Sequence, residues 1–340
     1  MFGYKSISAQ LLLPIVLLTS NVVYAQVQST PLRTYASSPI QSLTSAMQLR
    51  SAFKHQKAEI FATASMASVW GQSDEFQLDY YQNHAFLGFQ LQPTERLSAE
   101  FMYQYSWAAD NGLDSLVADF HDAFGIGHNG RELVGENQFN IRSRSYNYNN
   151  TDFKGETMAN ALHAYFQYQL IENAHHGLAL GATLYFNDVN SSPFERSSFE
   201  QAIQLNYSYR NKNHTLFSSL GYTFHDESEA IFGSLLNDST LAFSAGYAYR
   251  IFDNHELLVQ YHIYEGALMT TVLSLIRHKS LFWVIATPIT TGWLLKYPQQ
   301  KTLAIWITLR IFTSPAALDS TSTETPIRRG STLRTTNSIT

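Results

Sequence analysis

One pattern limits what this chain can fold into more than any other: a hydrophobic period of two, held for about ten residues at a time and then repeated. Ile203, Leu205, Tyr207 and Tyr209 alternate with Gln204, Asn206, Ser208 and Arg210. Leu241, Phe243, Ala245, Tyr247 and Tyr249 alternate with Ala242, Ser244, Gly246, Ala248 and Arg250. Leu97, Ala99, Phe101, Tyr103 and Tyr105 do the same against Ser98, Glu100, Met102, Gln104 and Ser106. Similar segments run over Ile60–Trp70, Phe76–Leu91, Ala161–Leu170, Gly177–Phe186, Thr215–Phe224 and His255–Tyr264. Successive strand side chains point to opposite faces, so each segment has one apolar and one polar side. Strands of soluble sandwiches average roughly 5–6 residues, whereas about ten tilted residues are needed to cross a bilayer. Tyrosines at strand ends suit the aromatic girdles of the two membrane interfaces. The pattern therefore predicts an all-β fold, a transmembrane antiparallel β-barrel of outer-membrane type, ahead of a periplasmic β-sandwich.

Composition agrees and removes other classes. Only 14% of the 340 residues are charged, against roughly 25% in an average soluble domain, yet the mean hydropathy is −0.17. Aromatic and uncharged polar residues make up the difference, with 20 Tyr, 22 Phe and 5 Trp. A disordered chain would be rich in charge and poor in aromatics. No internal run approaches the roughly 20 apolar residues of a spanning helix. A net charge of −5 leaves no basic footprint for nucleic acid. With no cysteine, disulfides, thiolate metal sites and thiol nucleophiles are excluded.

The organisation follows from the N-terminus and the connections. Lys5 precedes an apolar run from Leu11 to Leu18, and Val23-Tyr24-Ala25 reads as a small-x-small cleavage site. Residues 1–25 are thus read as a signal peptide cleaved after Ala25, with 26–56 a periplasmic N-terminal segment and 57–267 the barrel. Short turns at Gln92–Glu95, Glu172–His176, Asn211–Asn213 and Phe252–Asn254 alternate with long connections at Ala108–Ala159, Asp188–Phe199 and His225–Ser239. Short turns are expected in the periplasm and long loops outside. Within the largest loop, Gln138–Tyr148 alternates poorly and is placed as a hairpin arm or gate, leaving nine spanning strands.

After Ala267 the composition changes. Leu268–Leu281 has no clean period, Trp283, Trp293 and Trp306 cluster here, and Ala316–Thr340 is rich in Ser, Thr and Arg. Back-translated with one permitted choice of synonymous codons and read from each third base, Leu268–Thr323 yields three alternating aromatic strands and a Pro-Tyr-Asn-Asn turn. A stop then falls across Thr323 and Glu324. Residues 268–340 are accordingly read as a frameshifted tail, the alternative being a divergent C-terminal segment. Nine strands plus the three of the hidden frame make about 12 in the intact protein, an even number as single-chain bacterial barrels require, and leave the barrel incomplete in this chain.

Three motifs carry a family resemblance. They are Pro31-Leu32-Arg33-Thr34 with Ser37-Ser38-Pro39-Ile40, Phe120-His121-Asp122-Ala123-Phe124-Gly125 with Gly130-Arg131, and Tyr264-Glu265-Gly266-Ala267. Over about Pro31–Ala267 the chain resembles a family of Gram-negative exported proteins catalogued as domain of unknown function 3187. The resemblance implies a barrel-like outer-membrane protein and brings no activity with it.

Chemistry in the sequence is sparse. Asp119, His121, Asp122, His128, Arg131 and Glu132 form the densest polar cluster. His121 and Asp122 could work as an acid–base pair or weak metal ligands. Leu116, Val117, Phe120, Phe124 and Ile126 equally fit the apolar side of a short helix bracketed by glycines. No HExxH or GxSxG arrangement occurs, so no catalytic set, metal or cofactor is assigned. His175-His176 and the sequons at Asn149 and Asn237 read as solvated turn and loop residues. The favoured function is a narrow channel, receptor or structural barrel, with Gln204, Asn206, Ser208 and Arg210 facing the lumen. The alternative is a lipid hydrolase using Ser208 with His163 or His262 at the lipid–water boundary. The expected partners are outer-membrane lipid, periplasmic chaperones and the barrel-assembly machinery.

Overall fold

The computed structural model describes residues 29–33, 41–54, 58–72, 76–112, 138–144, 146–226, 230–231, 234–252, 255–267, 278–286, 290–295 and 301–312. The strands are β1 (Glu59–Gln72), β2 (Phe76–Leu91), β3 (Leu97–Trp107), β4 (Asn140–Ser143), β5 (Tyr148–Thr151), β6 (Thr157–Glu172), β7 (His176–Val189) and β8 (Arg196–Asn211). They continue with β9 (His214–Phe224), β10 (Ala230–Ile231), β11 (Ser234–Leu235), β12 (Ser239–Phe252), β13 (His255–Tyr264), β14 (His278–Ala286), β15 (Thr290–Leu295) and β16 (Lys301–Phe312). All nine segments with period-two patterning are strands, and every pairing is antiparallel.

The alternation sets which way each strand faces. Along β8 burial switches at nearly every residue. Phe199, Ile203, Leu205 and Tyr207 stand outside, with Gln204, Asn206 and Ser208 inside. The same exterior carries Leu87, Phe89, Leu162, Leu180, Leu184, Leu216, Leu220, Leu241 and Phe243, a continuous apolar band. Such a surface would be untenable in water and is what a bilayer requires. Gln, Asn, Ser, His and Glu side chains turn inward.

β1 pairs with β2 on one side and β16 on the other, so the ladder returns to its start through twelve strands, with the β4–β5 hairpin attached to β2. This differs from the incomplete barrel expected for this chain. The tail segments are rich in Ile, Leu, Thr and Trp, whose β preference is enough for pairing whatever the frame. Among the described residues the seam is narrow: β15 meets β14 over Leu281–Trp283 and β16 over Thr290–Trp293.

Both strand termini of the ring, Glu59 and Phe312, lie opposite each other at the short-turn end. The opposite end gathers the connections 108–156, 190–195, 225–238 and 265–277. The three-residue β1–β2 link at 73–75 breaks the long-loop rule there. β4 and β5 form a hairpin inside the largest connection, between Ala108 and Thr157.

Candidate functional site

The lumen is occupied. Wall side chains suffice to fill a barrel of about eight strands, and open aqueous channels need roughly 16–18. A twelve-strand ring is too wide for the first and narrow for the second, and the chain fills it with its own residues 29–33 and 41–53. This stretch belongs to 26–56, expected from sequence to lie in the periplasm. The inward faces of the strands supply the reason for the difference: they carry donors and acceptors that match its main chain.

From Gln41 to Phe53 the segment descends from the long-loop end to the short-turn end. Near the top, Ser45 N donates to Glu200 Oε2 at 2.9 Å, and Gln104 Nε2 donates to Ser42 O at 3.2 Å. Tyr264 of the Tyr-Glu-Gly-Ala motif donates its hydroxyl to Met47 O at 3.0 Å. At mid-depth Gln204 Nε2 donates to Gln48 O at 2.8 Å, and Arg50 N to Ser219 Oγ at 3.2 Å. Lower down, Gln167 Nε2 donates to Ser51 O at 3.0 Å and Ala52 N to Ser208 Oγ at 2.9 Å. Three inward glycines let the segment approach the wall. A Cβ at Gly221 would lie 2.6 Å from Met47 Sδ, one at Gly246 2.7 Å from Leu49 Cδ2, and one at Gly177 3.0 Å from the Ala52 carbonyl.

The charges concentrate where the segment meets the wall. Arg33 contacts Glu59 at 2.7 Å and Glu100 at 3.0 Å, and Arg50 contacts the other Glu100 oxygen at 2.8 Å. Arg33 also lies over Phe61 at 3.9 Å and Arg50 over Tyr165 at 4.4 Å. Leu32 N donates to Gln260 Oε1 at 2.5 Å, and Ser29 Oγ bonds Glu256. A second buried group joins Arg196 to Glu200 at 2.7 Å and His225 Nδ1 to Glu200 at 2.8 Å.

Above the segment an apolar lid spans the long-loop end. Phe139 and Phe153 of the large connection pack with Tyr80, Tyr81, Ile141, Met158, Phe194, Ile231 and Leu236, and Leu43 joins from the segment below. Edge contacts between Tyr80 and Phe153 at 5.8 Å and Phe153 and Phe194 at 5.3 Å tie these loops together. Partial burial in this lid raises the Tyr148 phenol above its ordinary range.

The residues singled out from sequence fall as follows. Gln204 and Ser208 bond the segment, and Asn206 is held by Ser219 at 2.6 Å and by its own donations to Tyr165 at 2.7 Å and Gln167 at 2.9 Å. Arg210, at the lower rim, lies 3.9 Å over Phe53. His262 meets Ser244 at 2.7 Å, not Ser208, and both face the lumen rather than lipid. The boundary site a lipid hydrolase needs is therefore not assembled from Ser208 and His262. His163 bonds Gln104 at 2.9 Å; His175 in the turn and His176 at the start of β7 are exposed and bonded to Arg210 O and Tyr207. Phe120, His121, Asp122, Phe124, Gly125 and Arg131, with Asp119, His128 and Glu132, lie outside the described residues. Sequence reading passed over Arg33, Arg50, Glu59 and Gln260 as site residues. For Arg33 and Glu59 the signal was charge at a motif or strand-start position in a chain with little charge, whereas Gln260 was one polar strand position among many.

Closed ring, apolar exterior and polar filled interior define the class: this is an outer-membrane β-barrel protein. The chain belongs to the family described as Protein of unknown function (DUF3187), whose model matches residues 7–315. That match is wider at both ends than the span of the motifs and runs on past Leu268. No curated protein matches the sequence. Among solved structures, the chain is similar to an outer membrane channel from Pseudomonas putida F1, with 13% identity over 75% of this chain and 96% of that one, at a TM-score of 0.44. It is also similar to the transport unit of the autotransporter AIDA-I from Escherichia coli, with 9% identity over 77% and 91% and a TM-score of 0.42. The Ralstonia pickettii toluene transporter TbuX gives 8% identity over 80% and 97%, at 0.39. At these identities nothing about substrate passes from those proteins to this one.

Proposed function

We propose that the protein is a gated channel of the outer membrane, held shut here by residues 29–33 and 41–53. The observation that carries this reading is the seating of Arg33 and Arg50 on Glu59 and Glu100. A purely structural barrel gains nothing from such a latch, because a buried ion pair is seldom more stable than the apolar packing that could replace it. Polar contacts that can be exchanged for water suit a segment that leaves and returns. The long-loop end faces outward, so the apolar lid closes the outer mouth and the segment enters from the periplasm. On this reading the signal peptide is removed after Ala25, and periplasmic chaperones and the assembly machinery deliver the chain.

Planar-bilayer recording of the mature protein beside a form lacking residues 29–53 tests the gate. The intact protein is expected to be mostly silent and the deleted form to show large, long-lived openings. Equal conductance of the two, with both inserted, would overturn the proposal.

A further inference from the structure

The wall carries the acceptors and the ring that meet Arg33. Glu59 on β1 lies opposite Gln90 on β2, and Gln90 lies opposite Glu100 on β3, so the three form one rung across adjacent strands. Phe61, two residues along β1, lies opposite Gly88, where a Cβ would come within 2.4 Å of its ring. Glycine there lets the ring lie against the sheet and offer its face to the lumen. Onto this rung Arg33 places a complete guanidinium. Nη1 and Nη2 donate to the two Glu59 oxygens at 2.7 and 3.3 Å, Nη2 to Gln90 Oε1 at 2.7 Å, and Nε to Glu100 Oε2 at 3.1 Å. The plane stacks on Phe61. A planar fork on a carboxylate, a further acceptor in reach and an aromatic face together suit guanidinium better than a compact ammonium.

We propose that the Glu59–Gln90–Glu100 rung with Phe61 is a binding site for guanidinium-bearing cationic solutes, and that Arg33 occupies it as an internal stand-in. The gated-channel reading supplies the route by which a solute arrives when residues 29–33 withdraw; the site itself stands on the wall geometry. Arg50 pairs with the far oxygen of Glu100. Once Arg33 leaves, Glu59, Glu100 and Arg50 sum to a single negative charge, which one monovalent cation neutralises.

The test uses two otherwise full-length mature proteins folded in detergent, Arg33→Ala and the form lacking residues 29–33, both of which keep Arg50 on Glu100. Each is titrated calorimetrically with methylguanidinium and with methylammonium at matched ionic strength. Methylguanidinium is expected to bind one-to-one to whichever folds, roughly tenfold more tightly than methylammonium, a gap set by the second hydrogen bond of the fork. Adding Glu59→Gln is expected to abolish that preference. The wild-type protein, its site filled by Arg33, is expected to bind neither. Absence of saturable binding in the folded variants, or equal affinity for the two cations, would overturn the site. Bilayer recording keeps the two proposals apart. Conductance of the form lacking residues 29–53 unaltered by methylguanidinium sinks the site and leaves the gate standing. Calorimetric binding without any conductance does the reverse.

Discussion

Glu100 holds two arginines at once, and both come from outside its own sheet neighbours in sequence. Removing one member of a buried charge group leaves the others uncompensated, typically at a cost of about 3–5 kcal/mol. Glu100→Gln should therefore lower the temperature at which the folded form is lost on heat-modification gels, whereas Glu95→Gln, in an exposed turn, should not. Equal midpoints for the two variants would show that the latch does not contribute. The inward glycines act by shape instead. Gly221→Val puts side-chain carbon where Met47 now sits, and the segment should become open to added protease while the barrel stays heat-modifiable. Persistent protection of residues 41–53 in that variant would mean the seat is not set by Gly221. Little of this was legible in the sequence. Glu100 was visible only as one polar position in an alternating strand, because a pairing of Arg33 with Glu100 depends on two strands and a threaded segment, not on spacing.

Strands differ in how openly they declare themselves. β8 and β9 alternate cleanly because lipid lies against one side and the filled lumen against the other. The upper part of β2 does not: Tyr80, Tyr81, Gln82, Asn83 and His84 are all buried, on both faces. There β4 and the lid cover what would otherwise be an exposed edge. Phe61 points inward against the general rule because Arg33 and Gly88 give it a place. The turns carry their own marks, such as Lys212 at a φ of 50°, a left-handed conformation that closes the tight β8–β9 link. If the long-loop end is the cell surface, protease applied to intact cells should cut within 108–156 and spare 212–213. Cleavage restricted to 212–213 would invert the barrel.

For the molecule as a whole, the tail decides whether the ring is sound. We propose that residues 268–340 are translated out of frame, and that the three strands they supply stand in for better ones. An open barrel would expose unpaired backbone groups to hydrocarbon at several kcal/mol each, and a seam as short as that of β15 comes near to that state. Resequencing the gene across the codons for Ala267 to Thr270 should reveal a displaced base, and restoring the frame should raise the yield of heat-modifiable, inserted protein. An undisturbed frame, with this chain inserting normally, would end the proposal.

The sequence alone determined the membrane-spanning barrel, its nine clear strands and the polar interior, because a two-residue period is a local property that survives any arrangement of the chain. It also carried the family, through short motifs at Arg33 and Tyr264. Only the tertiary structure decided that residues 29–33 and 41–53 lie inside the barrel, and that Arg33 meets Glu59 and Glu100. Those contacts join a threaded segment to separate wall strands, and their partners follow from register and ring closure, which no local pattern encodes. The width of a twelve-strand lumen then leaves a space that wall side chains cannot fill, and the N-terminal segment occupies it.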